Sequence, residues 1–206
     1  MEIIGGTAKG MILQVPQNME VRPTSVRSRR SLFDTLGDLS GKRVCDLFAG
    51  SGALGLEAAS RGADHVMFVE KSPAVMAIIR KNIAKVEKLC PDTMFQVISG
   101  TVPACFRKMT AFHPKPDLIF ADPPYAMSAD LLDAILHDPD FCQWADQADM
   151  IWERPDYRVS LKVFPPEWTL SAIKELGATR FLLSGKLQKN EKKTFFCGKT
   201  AKKYWK

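Results

Sequence analysis

Apolar residues fall into short runs along this chain, and these runs alternate with segments in which apolar residues recur at helical spacing. Short runs rich in Val, Ile, Leu and Phe predict buried β-strands, whereas apolar residues three and four positions apart predict amphipathic helices. The predicted strands are residues 43–49, 65–70, 94–98, 117–121 and 149–153, and the predicted helices are residues 53–61, 73–89, 102–109 and 129–136.

This alternation predicts the fold class. Strands separated by helices pair in parallel through right-handed crossovers, which gives an α/β fold with helices on both faces of the sheet. Residues 169–176 and 178–184 add two strands that predict a C-terminal antiparallel hairpin, so we expect a mostly parallel seven-stranded sheet. A strand at 11–15 and a helix at 25–36 predict a small hairpin and helix extension ahead of it.

We expect three parts in the chain. They are an N-terminal extension (1–40), an α/β domain (41–186) and a basic tail (187–206). The 206 residues, 46% of them hydrophobic, are enough to bury one substantial core. We expect a monomer.

The sequence also bears on location and metals. No leader-like segment opens the chain and no apolar run approaches the length of a membrane span, so we expect a cytoplasmic protein without a membrane partner. The five cysteines never form a CxxC pair and the three histidines are scattered. We therefore expect reduced thiols and no metal site.

Charge is distributed unevenly along the chain. The net charge is +6, yet residues 186–206 contain eight lysines against Glu191 alone, so the rest of the chain is close to neutral. The first 43 residues are also basic, which indicates two cationic ends around a neutral to acidic centre. Three interpretations stay open: the basic ends bind a polyanion, the tail is a solvated segment kept soluble by its lysines, or the aromatic residues of the tail pack on the domain.

A glycine motif follows the first predicted strand of the repeat. Gly50, Gly52 and Gly55 satisfy GxGxxG between a strand and a helix, and Glu70 ends the next strand. Such a loop approaches a cofactor closely, and an acid at this spacing accepts hydrogen bonds from ribose hydroxyls. The motif predicts an adenosine-containing cofactor and leaves both a nicotinamide dinucleotide and S-adenosylmethionine open.

The motif ADPPY follows the strand at 117–121. Two consecutive prolines end the strand and make a rigid elbow. The exocyclic amino group of a base is a poor nucleophile because its lone pair is delocalised. The Asp122 carboxylate and the Pro123 carbonyl could accept its two hydrogens and orient its lone pair, while Tyr125 offers a stacking surface. This chemistry favours S-adenosylmethionine-dependent methyl transfer.

These motifs, together with RPTSVRSRRSLFDTL near the N-terminus, resemble those of bacterial 16S ribosomal RNA guanine-N2 methyltransferases of the RsmD type. The resemblance covers about residues 1–185. It implies a Rossmann-like S-adenosylmethionine-dependent methyltransferase that acts on guanine-966, in the usual nomenclature, of the small-subunit RNA. Where the family commonly has Asp or Asn near the adenine, this chain has Ser99-Gly100-Thr101.

The expected site residues fall into three groups. The catalytic group is Asp122, Pro123, Pro124 and Tyr125. The cofactor-binding group is Thr24, Asp46, Phe48, Ala49, Gly50, Gly52, Glu70, Lys71 and Thr101. The RNA-binding group is Arg22, Arg27, Arg29 and Arg30, together with the tail residues Lys192, Lys193, Lys202 and Lys203.

Three other functions stay open at this point. A DNA adenine-N6 methyltransferase or a protein glutamine methyltransferase would use the same cofactor and the same proline motif, and only the RPTS segment argues against them. A nicotinamide-dependent oxidoreductase would explain the glycine motif and Glu70 but would leave ADPPY without a role.

Overall fold

The structure, a computed structural model, describes residues 1–16, 26–124, 127–154, 168–176 and 179–186. Its strands are β1 (Arg43–Asp46), β2 (His65–Glu70), β3 (Met94–Ser99), β4 (Leu118–Ala121), β5 (Asp149–Arg154), β6 (Trp168–Leu176) and β7 (Thr179–Lys186). They form one sheet in the order β3-β2-β1-β4-β5-β7-β6. The first five strands are parallel to one another, while β7 pairs antiparallel with both β5 and β6. The predicted open α/β sheet with parallel strands is thereby confirmed.

Helices cover both faces of this sheet. They are α1 (Val26–Leu36), α2 (Ala53–Ser60), α3 (Pro73–Val86), α4 (Phe106–Phe112), α5 (Ser128–Leu136) and α6 (Pro139–Trp144). One buried cluster joins α1, α2 and α3 to the sheet, and a second joins α4, α5 and α6 to its other face. None of the described helices has the length and apolar character needed to cross a membrane.

The N-terminal segment is packed into the first of these clusters. Ile3, Ala8 and Leu13 are buried there. The strand predicted at 11–15 is wrong, since in this region the structure has only a single antiparallel bridge between Glu2 and Ile12. Side chains of neighbouring helices accept the hydrogen bonds that a second strand would otherwise accept. Backbone N–H groups of the N-terminal segment donate to Glu57 and Ser60 of α2 and to Asn82 of α3.

Several element boundaries differ from the sequence prediction, including the end of α3 at Val86 instead of residue 89, and one helix was not predicted. Strand β1 ends at Asp46 instead of residue 49, because the glycine turn begins there. Helix α4 begins at Phe106, since residues 102–105 form turns that contain Pro103. Helix α6 was not predicted, although Asp138 caps it by accepting a hydrogen bond from the Phe141 N–H at 2.8 Å. The proposed divisions at residues 40 and 186 stay predictions.

Candidate active site

A cavity of about 650 Å³ opens at the carboxyl ends of the parallel strands. The cavity lies at the point where the strand order reverses. From β1 the chain proceeds outward to β2 and β3 on one side of the sheet, and then crosses to β4 on the other side of β1. Open α/β sheets bind ligands at this position. The wall includes most of the predicted site residues that the structure describes, namely Asp46, Phe48, Ala49, Gly50, Glu70, Lys71, Thr101, Asp122, Pro123 and Pro124.

The glycine loop between β1 and α2 has the backbone that its sequence predicts. Gly50 and Gly52 adopt φ values of 52° and 80°, a region that favours glycine. A Cβ at Gly55 would lie 2.4 Å from Cε1 of Phe68, so only glycine lets α2 approach β2 this closely. Gly52 is the N-cap of α2, and this end of the helix adjoins the cavity.

Glu70 is held against this loop by two backbone groups. Its Oε2 accepts a hydrogen bond from the Gly50 N–H at 3.2 Å, and its Oε1 accepts one from the Ser72 N–H at 2.8 Å. Each carboxylate oxygen has a second lone-pair direction. The side chain therefore stands in the cavity wall in a fixed orientation and can still accept hydrogen bonds from hydroxyl groups.

Asp46 is a buried acid at the base of the cavity. Its Oδ2 accepts a hydrogen bond from the Gly55 N–H at 3.2 Å, whereas Oδ1 makes no hydrogen bond within the described part of the chain. The pKa of Asp46 is raised to about 7, chiefly by burial and to a smaller extent by the carboxylates of Asp122 and Glu70, against the effect of backbone hydrogen bonds. The three acids thus lie close enough to interact electrostatically.

The proline motif brings Asp122 to the same cavity from β4. This strand ends at Ala121, after which Asp122 is half-buried, Pro123 buried and Pro124 exposed, all three in the cavity wall. Sequence reasoning missed Glu153, a buried acid from β5 that also lies in this wall. The sequence did contain a signal for this residue, because Glu153 is an acid that directly follows the apolar part of a predicted strand.

The predicted RNA-binding arginines of α1 separate into two groups. Arg27 and Arg30 are exposed. Arg29 is 4% exposed and lies in the cavity wall, where its Nη2 donates to the Glu2 carbonyl. Burial lowers its pKa, and its Nε makes no hydrogen bond within the described ranges. The predicted residues Arg22, Thr24, Tyr125, Lys192, Lys193, Lys202 and Lys203 lie outside the described residues.

Comparison with known proteins places this site in a family. The family model described as "conserved hypothetical protein 95" matches residues 1–184. The chain belongs to this family. Ribosomal RNA small subunit methyltransferase D of Escherichia coli is 30% identical over 184 residues, which cover 89% of this chain and 88% of that protein. The protein of the same name from Haemophilus influenzae is 35% identical over 126 residues, which cover 61% of this chain and 64% of that protein.

Solved structures of the same kind agree with the observed fold. The Escherichia coli protein YhhF superposes with a TM-score of 0.70 at 27% identity and covers 90% of this chain and 97% of its own. A Haemophilus influenzae structure gives a TM-score of 0.69 at 27% identity, with coverages of 91% and 98%. The family resemblance drawn from the motifs is therefore confirmed, and so is the methyltransferase Rossmann-like fold.

Proposed function

We propose that this protein transfers a methyl group from S-adenosylmethionine to the exocyclic N2 of a guanine in 16S ribosomal RNA, guanine-966 in the usual nomenclature. The observation that supports this most directly is the single cavity that joins the glycine loop and Glu70 on one side to Asp122, Pro123 and Pro124 on the other. A methyl transfer needs a cofactor and an amino group side by side, and this cavity offers both kinds of surface at one sheet edge.

The residues present suit S-adenosylmethionine. Glu70 would accept hydrogen bonds from the ribose, since its carboxylate is already oriented by Gly50 and Ser72. The loop with positive φ at Gly50 and Gly52 leaves room for a ligand to approach the backbone. Around these we place the remaining cofactor contacts, Thr24, Asp46, Phe48, Ala49, Lys71 and Thr101. When bound, the cofactor supplies an electrophilic methyl group.

The proline motif would prepare the nucleophile. The Asp122 carboxylate and the Pro123 carbonyl would each accept one hydrogen of the guanine N2 amino group and hold its lone pair toward the methyl group. Pro124 fixes the elbow, and Tyr125 would stack on the base. When N2 gains the methyl group it must lose a proton, and Asp122 is the acceptor already in contact with it.

RNA would reach this cavity over a basic surface. The exposed Arg27 and Arg30 of α1 lie within two residues of Arg29, which is part of the cavity wall. Together with Arg22 and the tail residues Lys192, Lys193, Lys202 and Lys203, they would contact phosphates and position the base. We propose the 16S RNA of the small subunit or of its assembly intermediate as the partner, and a monomer as the active form.

Methyl transfer to three classes of acceptor tests this function. The purified protein would be incubated with tritiated S-adenosylmethionine and small subunits from a strain that lacks the enzyme, with DNA, or with total protein. We expect label in RNA alone, and mass mapping should assign it to N2-methylguanine. Label in DNA or in protein would instead support one of the other methyltransferase functions, and no label in any acceptor would contradict all of them.

A further inference from the structure

Glu153 lines the cavity but has no role yet in the proposed chemistry. It follows Trp152 in β5 and is 2% exposed. It nevertheless lies in the wall of the same cavity as Asp122 and Pro123. A carboxylate has about four lone-pair directions, so an acid that lines a cavity can accept hydrogen bonds both from protein groups and from a ligand that presents N–H groups.

Strand register places this acid beside Asp122. In the parallel β4–β5 pair, Phe120 is the partner of Ile151 and Ala121 is the partner of Trp152. One further step along both chains brings Asp122 level with Glu153. Neighbouring strands are about 4.8 Å apart, so the two residues leave the sheet side by side.

Strand alternation also predicts the same face for the two side chains. Alternate residues of a strand point to the same side, so Glu153 follows Ile151, and continuing the alternation of β4 one residue past Ala121 puts Asp122 on the side of Phe120. Both Phe120 and Ile151 belong to the buried cluster under α1 and α2. The register and the shared cavity wall therefore point to neighbouring positions for the two carboxylates, at the end of the cavity that we assign to the amino group.

Bases differ in what they present next to their amino group. Guanine has N1–H beside the N2 amino group, which makes three hydrogens on one edge. Adenine has an unprotonated N1 beside its N6 amino group, and cytosine has an unprotonated N3 beside its N4 amino group. A second carboxylate next to Asp122 would accept a hydrogen bond from guanine and would face a lone pair in the other two bases.

We propose that Glu153 accepts a hydrogen bond from N1–H of the target base and so selects guanine over adenine and cytosine. This inference rests on the proposed function and adds a specificity-determining residue to it. It also separates guanine-N2 from adenine-N6 methyl transfer, which the proline motif alone leaves open.

The test uses 2-aminopurine, which keeps the exocyclic amino group of guanine but has no hydrogen on N1. Small subunits from the deletion strain would be reconstituted with guanine or 2-aminopurine at the methylated position, and initial rates of methyl transfer would be compared. We expect the wild-type protein to prefer guanine by at least about 100-fold, because a site built to accept a hydrogen bond rejects an analogue that lacks the donor. Equal rates on the two bases would overturn the inference.

A matched pair of substitutions sharpens the result. Glu153→Gln has an amide that can donate to N1 of 2-aminopurine, so the preference for guanine should fall by at least about 10-fold. Glu87→Gln makes the same change at an exposed position after α3 and should leave the preference unchanged. The loss of O6 in 2-aminopurine affects all the proteins alike, so the change in preference reports on N1.

The remaining outcomes are also decisive. If Glu153→Gln keeps the wild-type preference while its thermal unfolding and cofactor affinity are normal, the inference is wrong. If this variant fails to fold, wild-type rates are compared on guanine and O6-methylguanine, which keeps an oxygen at position 6 but has no hydrogen on N1, and equal rates would overturn the inference. Absence of transfer to guanine by the wild-type protein would overturn the proposed function as well, whereas transfer to both bases at similar rates would overturn only the role of Glu153.

Discussion

The two aspartates that flank β4 show how differently the two edges of the sheet use the same side chain. Asp117 precedes the strand, and its carboxylate accepts hydrogen bonds from the Arg43 N–H, Nε and Nη2 at 2.9 to 3.0 Å. Asp122 follows the strand and lies in the cavity wall, where its charge acts on Asp46. Asp117 therefore forms an ion pair with Arg43, whereas Asp122 lies near other carboxylates.

The pKa values express this difference. Burial by itself raises the pKa of Asp117, but the hydrogen bonds from Arg43 outweigh it and hold the pKa below its usual value. At the other edge, burial and two neighbouring acids raise the pKa of Asp46. The amino edge of the sheet is thus arranged for stability of the folded chain. The carboxyl edge concentrates negative charge, which lowers stability and is suited to a ligand that carries hydrogen-bond donors or positive charge.

Replacing Asp122 should give the largest effect on activity. In Asp122→Asn, one oxygen that would accept from the substrate amino group becomes a donor, so turnover should fall by at least about 10²-fold. The cofactor affinity should change little, because the proposed contact is with the base. Single-turnover rates and a cofactor titration measure the two quantities. A variant with near wild-type turnover would remove Asp122 from the mechanism.

Replacing Glu70 should reduce cofactor affinity before it reduces the rate at saturation. Glu70→Ala removes the acceptor of the Gly50 and Ser72 N–H groups together with the proposed ribose contact. The dissociation constant for S-adenosylmethionine should rise by about 10- to 100-fold, as expected for loss of hydrogen bonds to a charged group. Isothermal titration calorimetry would measure it, with the exposed Glu87→Ala as the control. Unchanged affinity would contradict the ribose assignment.

Asp46 should make the free protein less stable as pH rises. Its pKa is about 7 in the folded chain against an ordinary 3.8, so between these values the folded state holds a proton that the unfolded state has lost. The stability present below about pH 4 is therefore lost as pH rises toward 7.

An isosteric variant tests this dependence. Asp46→Asn should remove the contribution of Asp46 to the pH dependence, and its free energy of unfolding at pH 8 should exceed that of the wild type by about 2 kcal/mol or more, since each pKa unit is worth about 1.4 kcal/mol. Urea unfolding at pH 5 and pH 8 measures the difference. Parallel pH profiles for the two proteins would show that Asp46 is ionised in the fold.

Local sequence signals were sufficient for the seven strands of the sheet, the glycine turn and the proline elbow. Each of these depends on residues close together in the chain, such as Gly50 and Gly52 or the two prolines after Asp122. The cap of α6 was equally local, since Asp138 precedes Pro139, but a six-residue helix leaves too short an apolar pattern to detect.

The rest of the site depends on tertiary structure. The register of β5 on β4 brings Glu153 beside Asp122, and no local pattern specifies that register. Arg29 belongs to a run of basic residues that favours a surface role, yet the packing of α1 buries it in the cavity wall. At residues 11–15, Asn82 satisfies backbone groups of Gln14 that a strand would otherwise pair.

The smallest effect is expected at the amino edge, where Asp117→Asn makes the same change as Asp122→Asn. The side chains of Arg43 and Asp117 are 43% and 28% exposed, so solvent screens the ion pair and the loss should be at most about 1 kcal/mol. Turnover should be unchanged.

The pH dependence of this contribution has the opposite sign to that of Asp46. Because the pKa of Asp117 is lowered, its contribution to the free energy of unfolding should be present at pH 7 and lost as pH falls below the ordinary value of 3.8. Urea unfolding at pH 7 and pH 3 tests this sign. A loss of turnover in Asp117→Asn as large as in Asp122→Asn would mean that removing either carboxylate disturbs the whole strand, and the division between a stabilising edge and a catalytic edge would fail.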